Sequence, residues 1–307
     1  MAKWSLSPLK LKGKIGANNP MVTIGLIYDR IRWEEKALIN ASKKAGISLT
    51  PIDAKKNYIN PSEDTKTFQE AFGSIVIQRC IGYFRGLHIT AILENSGLPV
   101  INSFQTSLTC GNKLFTTLTL TKADILSPKT LVAFTPETTL KALDMLGYPA
   151  VLKPVVGSWG RLVALVKDRE STQAIIEARE EIRNALFHIY YVQEFVKRPP
   201  RDIRIIVIGE EVVAASYRCP PPGEWRTNIA RGGTSKPCPL TSELEEIALK
   251  ASRAVGGGVL AVDCMESPKG LVVHEVNGTM EFRGISATTE VDIAKKILEY
   301  VVGMAKK

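Results

Sequence analysis

Val259-Leu260-Ala261-Val262-Asp263 and Leu271-Val272-Val273-His274-Glu275-Val276-Asn277 flank Ser267-Pro268-Lys269-Gly270, and together they read as a β-hairpin. Both runs are β-branched and aliphatic, the composition that suits a pleated, half-buried surface. A three-residue loop, Pro268-Lys269-Gly270 with Gly270 left-handed, predicts that Asp263 lies opposite Glu275. Glu275 and Asn277 are two apart and share a side of the sheet, while His274 points to the other. Two acids facing each other repel and destabilise a hairpin. A divalent cation removes that conflict, and two carboxylates with an amide oxygen form a hard donor set that suits Mg²⁺. A solvated polar hairpin face is the ordinary alternative for the same pattern.

The rest of the chain sets the context for that hairpin. At 307 residues it is long enough for two or three lobes, and 45% hydrophobic with 23% charged residues is ordinary for a globular enzyme. No apolar run reaches the length that spans a bilayer, which predicts no membrane association. Cys80, Cys110, Cys219, Cys238 and Cys264 are scattered singly, a pattern expected of reduced thiols in a cytoplasmic protein. Of the net charge of +9, four positive charges come from Lys3, Lys10, Lys12 and Lys14. Residues 1–20 contain no acid and are broken by Pro8, Gly13 and Gly16, so they read as a flexible basic extension without a secretory core. Without them the excess is +5, which argues against nucleic acid and suits acidic substrates or an acidic partner.

From Met21 the pattern alternates. Strands are expected at 22–28, 48–52, 74–78 and 100–102, with helices at 33–45 and 88–95, a small parallel-sheet α/β domain over 21–110. A central lobe over 111–190 opens with a helix at 113–123 and continues through an edge strand at 127–133 and a helix at 136–146. Strands at 150–154 and 162–166 and an acidic helix at 171–185 complete it. The C-terminal lobe, 191–307, holds a strand at 190–196, a hairpin of 202–208 with 211–217, a helix at 241–255 and the hairpin that opens this section.

Between the strands of the central lobe lies Val155-Val156-Gly157-Ser158-Trp159-Gly160-Arg161. Gly157 and Gly160, with Ser158 between them, could bring backbone N–H groups close to phosphate oxygens, and Lys153 would aim a cation at the same place. A plain glycine turn has the same composition. Gly-x-Gly-x-x-Gly and Gly-x-x-x-x-Gly-Lys-Ser/Thr are both absent, so the usual nucleotide loops are excluded. Lys113 follows Gly111 at a helix start. Gln193-Glu194-Phe195-Val196 could run along an adenine, or be an ordinary buried strand. Arg218, Arg226 and Arg231 surround Asn228-Ile229-Ala230-Arg231-Gly232-Gly233, as expected for binding carboxylate or phosphate. His88, His188 and His274 share no ligand spacing, and no Ser-His-Asp or Cys-His set can be assembled. The chemistry is therefore expected from nucleotide, metal and cations rather than from a side-chain nucleophile.

Gly111-Asn112-Lys113, Leu152-Lys153-Pro154, Gln193-Glu194-Phe195-Val196, Arg201-Asp202-Ile203-Arg204, Asn228-Ile229-Ala230-Arg231-Gly232-Gly233, Asp263 and Glu275-Val276-Asn277, in that order, resemble ATP-grasp ligases of the RimK-like group. The likeness covers nearly everything after Met21. Residues 27–36, 156–161 and 275–282 are most similar to the LysX/ArgX ligases of lysine and arginine synthesis. The resemblance implies an α/β (α+β) ATP-grasp fold with an N-terminal parallel-sheet pre-ATP-grasp domain. It implies an ATP-dependent carboxylate–amine ligase in which the γ-phosphate passes to a carboxylate and an amine attacks the acylphosphate. It further implies that the α-amino group of an amino acid is joined to the C-terminal glutamate of the small acidic carrier LysW. Positioning and charge neutralisation suffice for such phosphoryl transfer.

By motif position, Asp263, Glu275 and Asn277 would hold Mg²⁺, with two ions expected. Lys113 and Lys153 would bind ATP phosphates beneath Gly157, Ser158, Trp159, Gly160 and Arg161. Gln193, Glu194, Phe195 and Val196 would hold adenine, with Asp202 near the ribose. Arg218, Arg226 and Asn228 would face the acylphosphate or the amino acid. Glutamate and α-aminoadipate differ by one methylene, which alone discriminates by only about 1–3 kcal/mol. In the family, Asn and a small residue follow the Glu-Phe-Lys/Arg segment in LysX, and Gly-Phe in ArgX. Gly284-Ile285 stands here: the glycine matches ArgX and the isoleucine departs from it. The reading is glutamate and arginine synthesis, with α-aminoadipate or dual specificity as the alternative. Related enzymes imply a homodimer or homotetramer. A RimK-type ligase adding glutamate to another protein, a catalytically silent nucleotide-binding regulator and a nucleic-acid module are the competing classes.

Overall fold

The computed structural model describes residues 22–306; the basic extension read over 1–20 lies outside the described residues. The described residues form two compact units, one of residues 22–104 with 294–306, the other of residues 105–293.

In the first unit the elements are β1 (Thr23–Tyr28), α1 (Trp33–Ala45), β2 (Ser48–Asp53), α2 (Thr65–Phe72), β3 (Ile75–Gln78), α3 (Tyr83–Asn95) and β4 (Val100–Ile101). The sheet order is β2-β1-β3-β4 and every pairing is parallel, as the alternating pattern predicts. Ile27, Ile52, Val76, Val100, Phe68 and Leu93 form its core. Gly25 has a packing reason, since a Cβ there would collide with the Phe72 carbonyl oxygen. The helix expected at 88–95 begins earlier, at Tyr83, and α2 was not expected: it is only eight residues long, with Phe68 buried and Phe72 packed against the same core.

The second unit follows with α4 (Phe104–Gly111), α5 (Lys113–Lys122), β5 (Thr130–Ala133), α6 (Pro136–Leu146), β6 (Ala150–Lys153), β7 (Ala164–Val166), α7 (Arg169–Glu180), β8 (Tyr190–Glu194), β9 (Asp202–Ile208), β10 (Glu211–Cys219), β11 (Thr234–Pro237), α8 (Ser242–Val255), β12 (Val259–Ser267), β13 (Gly270–Asn277) and α9 (Arg283–Ser286); the last helix, α10 (Ile293–Met304), returns to the first unit. Two sheets result, β5-β8-β6-β7 and β11-β10-β9-β12-β13. Thr241 caps α8 by accepting from the Leu244 N–H. The buried face of α8 (Leu244, Ala248, Ala251, Val255) shares a core with Ile203, Ile205, Val207, Leu260 and Val262 of β9 and β12. That core covers one face of the five-stranded sheet. Asp202 and Arg204 alternate with Ile203 and Ile205 along β9, so they lie on the other face.

The β12–β13 hairpin differs from expectation in how it reaches its register. Its turn is shorter, with Ser267 opposite Gly270 and only Pro268-Lys269 between them. Gly270 is left-handed at φ +106°, and Ser267 Oγ accepts from the Lys269 N–H at 3.1 Å. A bulge then restores the register, because Cys264 faces Val273 while Asp263 faces Glu275, leaving His274 extra. Asp263 and Glu275 are opposed as predicted, by a different route.

Candidate active site

The polar face of the five-stranded sheet is a charge lattice set by strand register. Asp202 on β9 faces Arg218 on β10; Arg204 on β9 faces Asp263 on β12; Asp263 faces Glu275 on β13. Opposed residues in an antiparallel pair share a face, which puts all five side chains together. Arg218 grips Asp202 with two hydrogen bonds of 2.7 Å and reaches Asp263 at 3.0 Å. Arg204 binds the Asp263 carboxylate at 2.9 and 2.8 Å. Lys113 Nζ lies 3.1 Å from Glu275 Oε1. The repulsion expected between Asp263 and Glu275 is thus relieved by the chain's own cations. Arg204 makes two of the bonds to Asp263, and sequence reasoning gave it no role because nothing local shows which strand will lie beside β12.

Burial raises the stakes of each pair. Asp202, Asp263 and Arg218 are all at most 3% exposed. Burial pushes the Asp202 carboxyl up, but the Arg218 charge and hydrogen bonds hold it well below the ordinary carboxylate range. Burial pulls Arg218 down, and the neighbouring Asp202 and Asp263 charges more than reverse this. For Glu275, burial acts upward and is outweighed by Lys113, His274 and Lys153, leaving it at about 2.

His274 was expected to point away from Glu275. The bulge turns it back, and its Nε2 sits 3.7 Å from Asp202 Oδ2. The ribose role expected for Asp202 does not fit its placement either. Both carboxylate oxygens accept from Arg218, and Thr227 donates to one of them, so Asp202 is an internal counter-ion.

Lys113 opens α5, whose N-terminus is capped by Asn112 Oδ1. Its Nζ donates to the Gly157 carbonyl at 2.9 Å while pairing with Glu275, linking the glycine loop to the carboxylate face. Lys153 ends β6 and donates to Gln193 Oε1 at 2.6 Å. Desolvation lowers its pKa to about 8, with Lys113 acting in the same direction and Glu275 opposing. Gln193 is buried, and its amide donates to Tyr191 Oη at 3.0 Å and Thr130 Oγ1 at 3.1 Å. The Gln193 side chain therefore orients Lys153 and leaves only backbone to face a base. Glu194 accepts from the Lys129 N–H at 2.8 Å, and Phe195 meets the edge of Trp225 at 5.9 Å. Trp225 was not singled out from sequence.

In the loop, Ser158 is exposed, and Arg161 stacks over the Trp159 ring at 4.8 Å. Arg226 Nη1 donates to the carbonyls of Gly160 at 3.3 Å and Val163 at 3.2 Å. Asn228 Oδ1 would lie 2.5 Å from a Cβ at Gly160. Arg226 and Asn228 therefore border the glycine loop. Arg218 does not join them; it belongs to the sheet face, and Arg226 and Arg231 gather instead around Glu224. Ile285 is 2% exposed, and a Cβ at Gly284 would meet Ser235 Oγ at 2.8 Å, so both pack into the fold.

As a cation site, Asp263, Glu275 and Asn277 offer two carboxylates and an amide on adjacent strands, donors of the right hardness for Mg²⁺. Asp263 Oδ2 already accepts from Arg204, Arg218 and Asn277, whereas Oδ1 accepts one bond from Arg204, and Glu275 is bound through Oε1. Asp263 Oδ1 and the second oxygen of Glu275 are the donors that fit. Among the described residues no group of three or more His, Cys, Asp or Glu is arranged to hold a metal.

A sheet face of paired carboxylates and cations beside a glycine loop and an oriented lysine is the apparatus of a phosphoryl-transferring ligase. The chain belongs to the RimK-like ATP-grasp family: the RimK-like ATP-grasp domain matches residues 110–301 and the LysX preATP-grasp domain matches residues 24–109. It is an ATP-grasp ligase, and ATP and Mg²⁺ are the cofactors of that family. It is 37% identical to the alpha-aminoadipate–LysW ligase LysX of Sulfurisphaera tokodaii, over 92% of this chain and 99% of the relative. It is 36% identical to the glutamate–LysW ligase ArgX of the same organism, over 90% of this chain and 96% of the relative. Among solved structures it resembles the RimK domain protein ATP-grasp from Sphaerobacter thermophilus, with TM-score 0.77 and 26% identity over 92% of this chain and all of that one. The resemblance read from sequence is borne out at the level of the group; 37% against 36% does not separate its two branches. No helix among the described residues is long and apolar enough to cross a membrane.

Proposed function

We propose that this protein joins the α-amino group of glutamate to the C-terminal glutamate of the carrier LysW through an acylphosphate, in arginine synthesis. The observation that carries the reading is Lys113, whose ammonium lies within 3.1 Å of Glu275 and 2.9 Å of the Gly157 carbonyl. One cation thereby ties the metal-type carboxylate to the loop suited to phosphates. Lys113 and Lys153 neutralise the transferred phosphoryl group, and the backbone of residues 157–161 covers it from water. Two Mg²⁺ ions, held by Asp263, Glu275 and Asn277, would offset charge on the phosphates. Arg226 and Asn228 flank the loop where the acylphosphate would form. Both curated relatives carry LysW in their names, which supports the carrier, and Gly284 supports glutamate. α-Aminoadipate is the second reading, supported by Ile285 in place of the ArgX-type phenylalanine.

Incubation with Mg-ATP, purified carrier and either amino acid, followed by intact-mass spectrometry, tests the reading. A glutamate adduct is expected to predominate. No adduct with either amino acid overturns the carrier-ligase reading, and a higher yield with α-aminoadipate overturns the branch.

A further inference from the structure

Residues 157–162 are held in a conformation that they do not adopt by default. Trp159 sits at φ +58° and Leu162 at φ +55°, both left-handed without being glycine. Such backbones persist only where surrounding contacts over-determine them. The contacts come from far along the chain. Trp159 Nε1 donates to Glu281 Oε1 at 3.0 Å across 122 residues. Arg226 holds the carbonyls of Gly160 and Val163 from below, but these bonds act on backbone and would survive any side chain at 159. The Trp159–Glu281 bond is different, because it joins this loop to a segment with its own ties. The Glu281 carbonyl accepts from Arg204 Nη1 at 3.4 Å, and Arg204 grips Asp263. Phe282, the next residue, is 1% exposed and caps α9, which contains Gly284 and Ile285.

We propose that Glu281 is a positioning residue that latches the glycine loop, through the Trp159 indole, to the segment linking the Asp263 face with α9, so that loop order depends on that segment. This rests on the reading that residues 157–161 cover ATP phosphates. Glu281 touches no reacting atom. It acts by keeping Trp159 in its left-handed turn, which fixes where the loop's N–H groups point. Because Glu281 directly precedes Phe282 and α9, its bond to Trp159 is one link by which a shift of α9 would reach the glycine loop.

The test uses the full-length protein in five forms: wild type, Trp159→Phe (ring kept, N–H lost), Glu281→Ala, Glu281→Gln (acceptor oxygen kept) and the double variant Trp159→Phe/Glu281→Ala. The first readout is the rate of tryptic cleavage after Arg161, which needs neither carrier nor turnover. Trp159→Phe and Glu281→Ala are expected to be cut about tenfold faster than wild type, the population shift that loss of one charge-assisted hydrogen bond produces. Glu281→Gln is expected to stay within about threefold of wild type, since a neutral hydrogen bond retains part of that stabilisation. The double variant Trp159→Phe/Glu281→Ala is expected to be no worse than either single one, as for two halves of one contact. The second readout is kcat/KM for ATP, which is expected to fall in the same rank order while the thermal midpoint barely moves. Equal cleavage rates in all five forms, or multiplicative effects in the double variant, overturn the latch. A wild type that yields no carrier adduct while the cleavage order holds would sink the carrier reading and leave the latch standing.

Discussion

Replacing Lys153 with arginine should abolish a specific limb of the pH profile. The surroundings of Lys153 withhold water from its ammonium group, Lys113 and Arg198 repel it, and Glu275 only partly compensates, which brings its pKa to about 8. Its Nζ is fixed by Gln193 at 2.6 Å, so it cannot swing out to regain solvent without breaking that bond. If the charged form binds ATP phosphates, kcat/KM for ATP reports the ionisation of the free enzyme. The sign follows from a lowered lysine pKa: the ammonium is intact below about pH 8 and lost above it. One unit above the pKa about a tenth of the molecules remain protonated, so kcat/KM should be roughly tenfold lower at pH 9 than its plateau near pH 7. Arginine keeps its charge to about pH 12 or beyond, so Lys153→Arg should be flat across the same window, at a lower plateau because its fork does not match the Gln193 geometry. The assay is ADP release at saturating Mg²⁺ and amino acid, with circular dichroism at each pH to confirm folding. The attacking amine reacts when neutral, so its titration makes the rate rise with pH and cannot imitate this loss. A wild-type profile that stays level through pH 9.5, or a falling limb that survives in Lys153→Arg, would refute the assignment of Lys153 to the phosphates.

Arg218→Met should destabilise the fold by about 3–5 kcal/mol, because it leaves the buried Asp202 carboxylate without its two-bond partner, and a urea titration measures it. A loss below about 1 kcal/mol would mean that Asp202 finds another counter-ion. Glu275→Gln keeps shape and removes the charge that faces Lys113; Mg²⁺-dependent ADP formation should collapse with an unchanged circular dichroism spectrum, whereas wild-type rates at the same Mg²⁺ concentration would dismiss the metal assignment. Gly160→Ala places a Cβ 2.5 Å from Asn228 Oδ1 on a residue at φ +63°. A strain of about 1–3 kcal/mol confined to the loop should raise the KM for ATP by about tenfold or more with little change in melting temperature. An unchanged KM would show that the loop does not approach the nucleotide.

How much of this was readable in advance divides along physical lines. The strands were legible because their burial is written as runs: Ile203, Ile205, Val207 and Leu260, Val262 all enter one core. α1 and α6 matched their expected spans because apolar spacing and an N-terminal Pro136 mark them locally. α10 carries an equally local signal, with Ile293, Ala294, Ile297, Leu298 and Val301 buried at helical spacing. α4 was different, with only Thr106 and Thr109 buried, and threonine is a poor helix signal.

The candidate site divides in the same way, and the division changes what supports a metal. From sequence, Mg²⁺ was inferred because Asp263 and Glu275 would repel. Arg204, Arg218 and Lys113 remove that repulsion, so it no longer calls for an ion. What favours a cation now is asymmetry within the lattice. Asp263 Oδ2 accepts from three donors, whereas its Oδ1 accepts only from Arg204 and Glu275 is held through one oxygen. A lattice built solely to stabilise the fold has no reason to hold Glu275 with a lysine that also spans to the carbonyl of a phosphate-type loop. The inference to a metal therefore rests on Lys113 rather than on the pair of acids. Lys113 reaches that position because α5 packs against β13, which lies far later in the chain, a relation that no local pattern encodes.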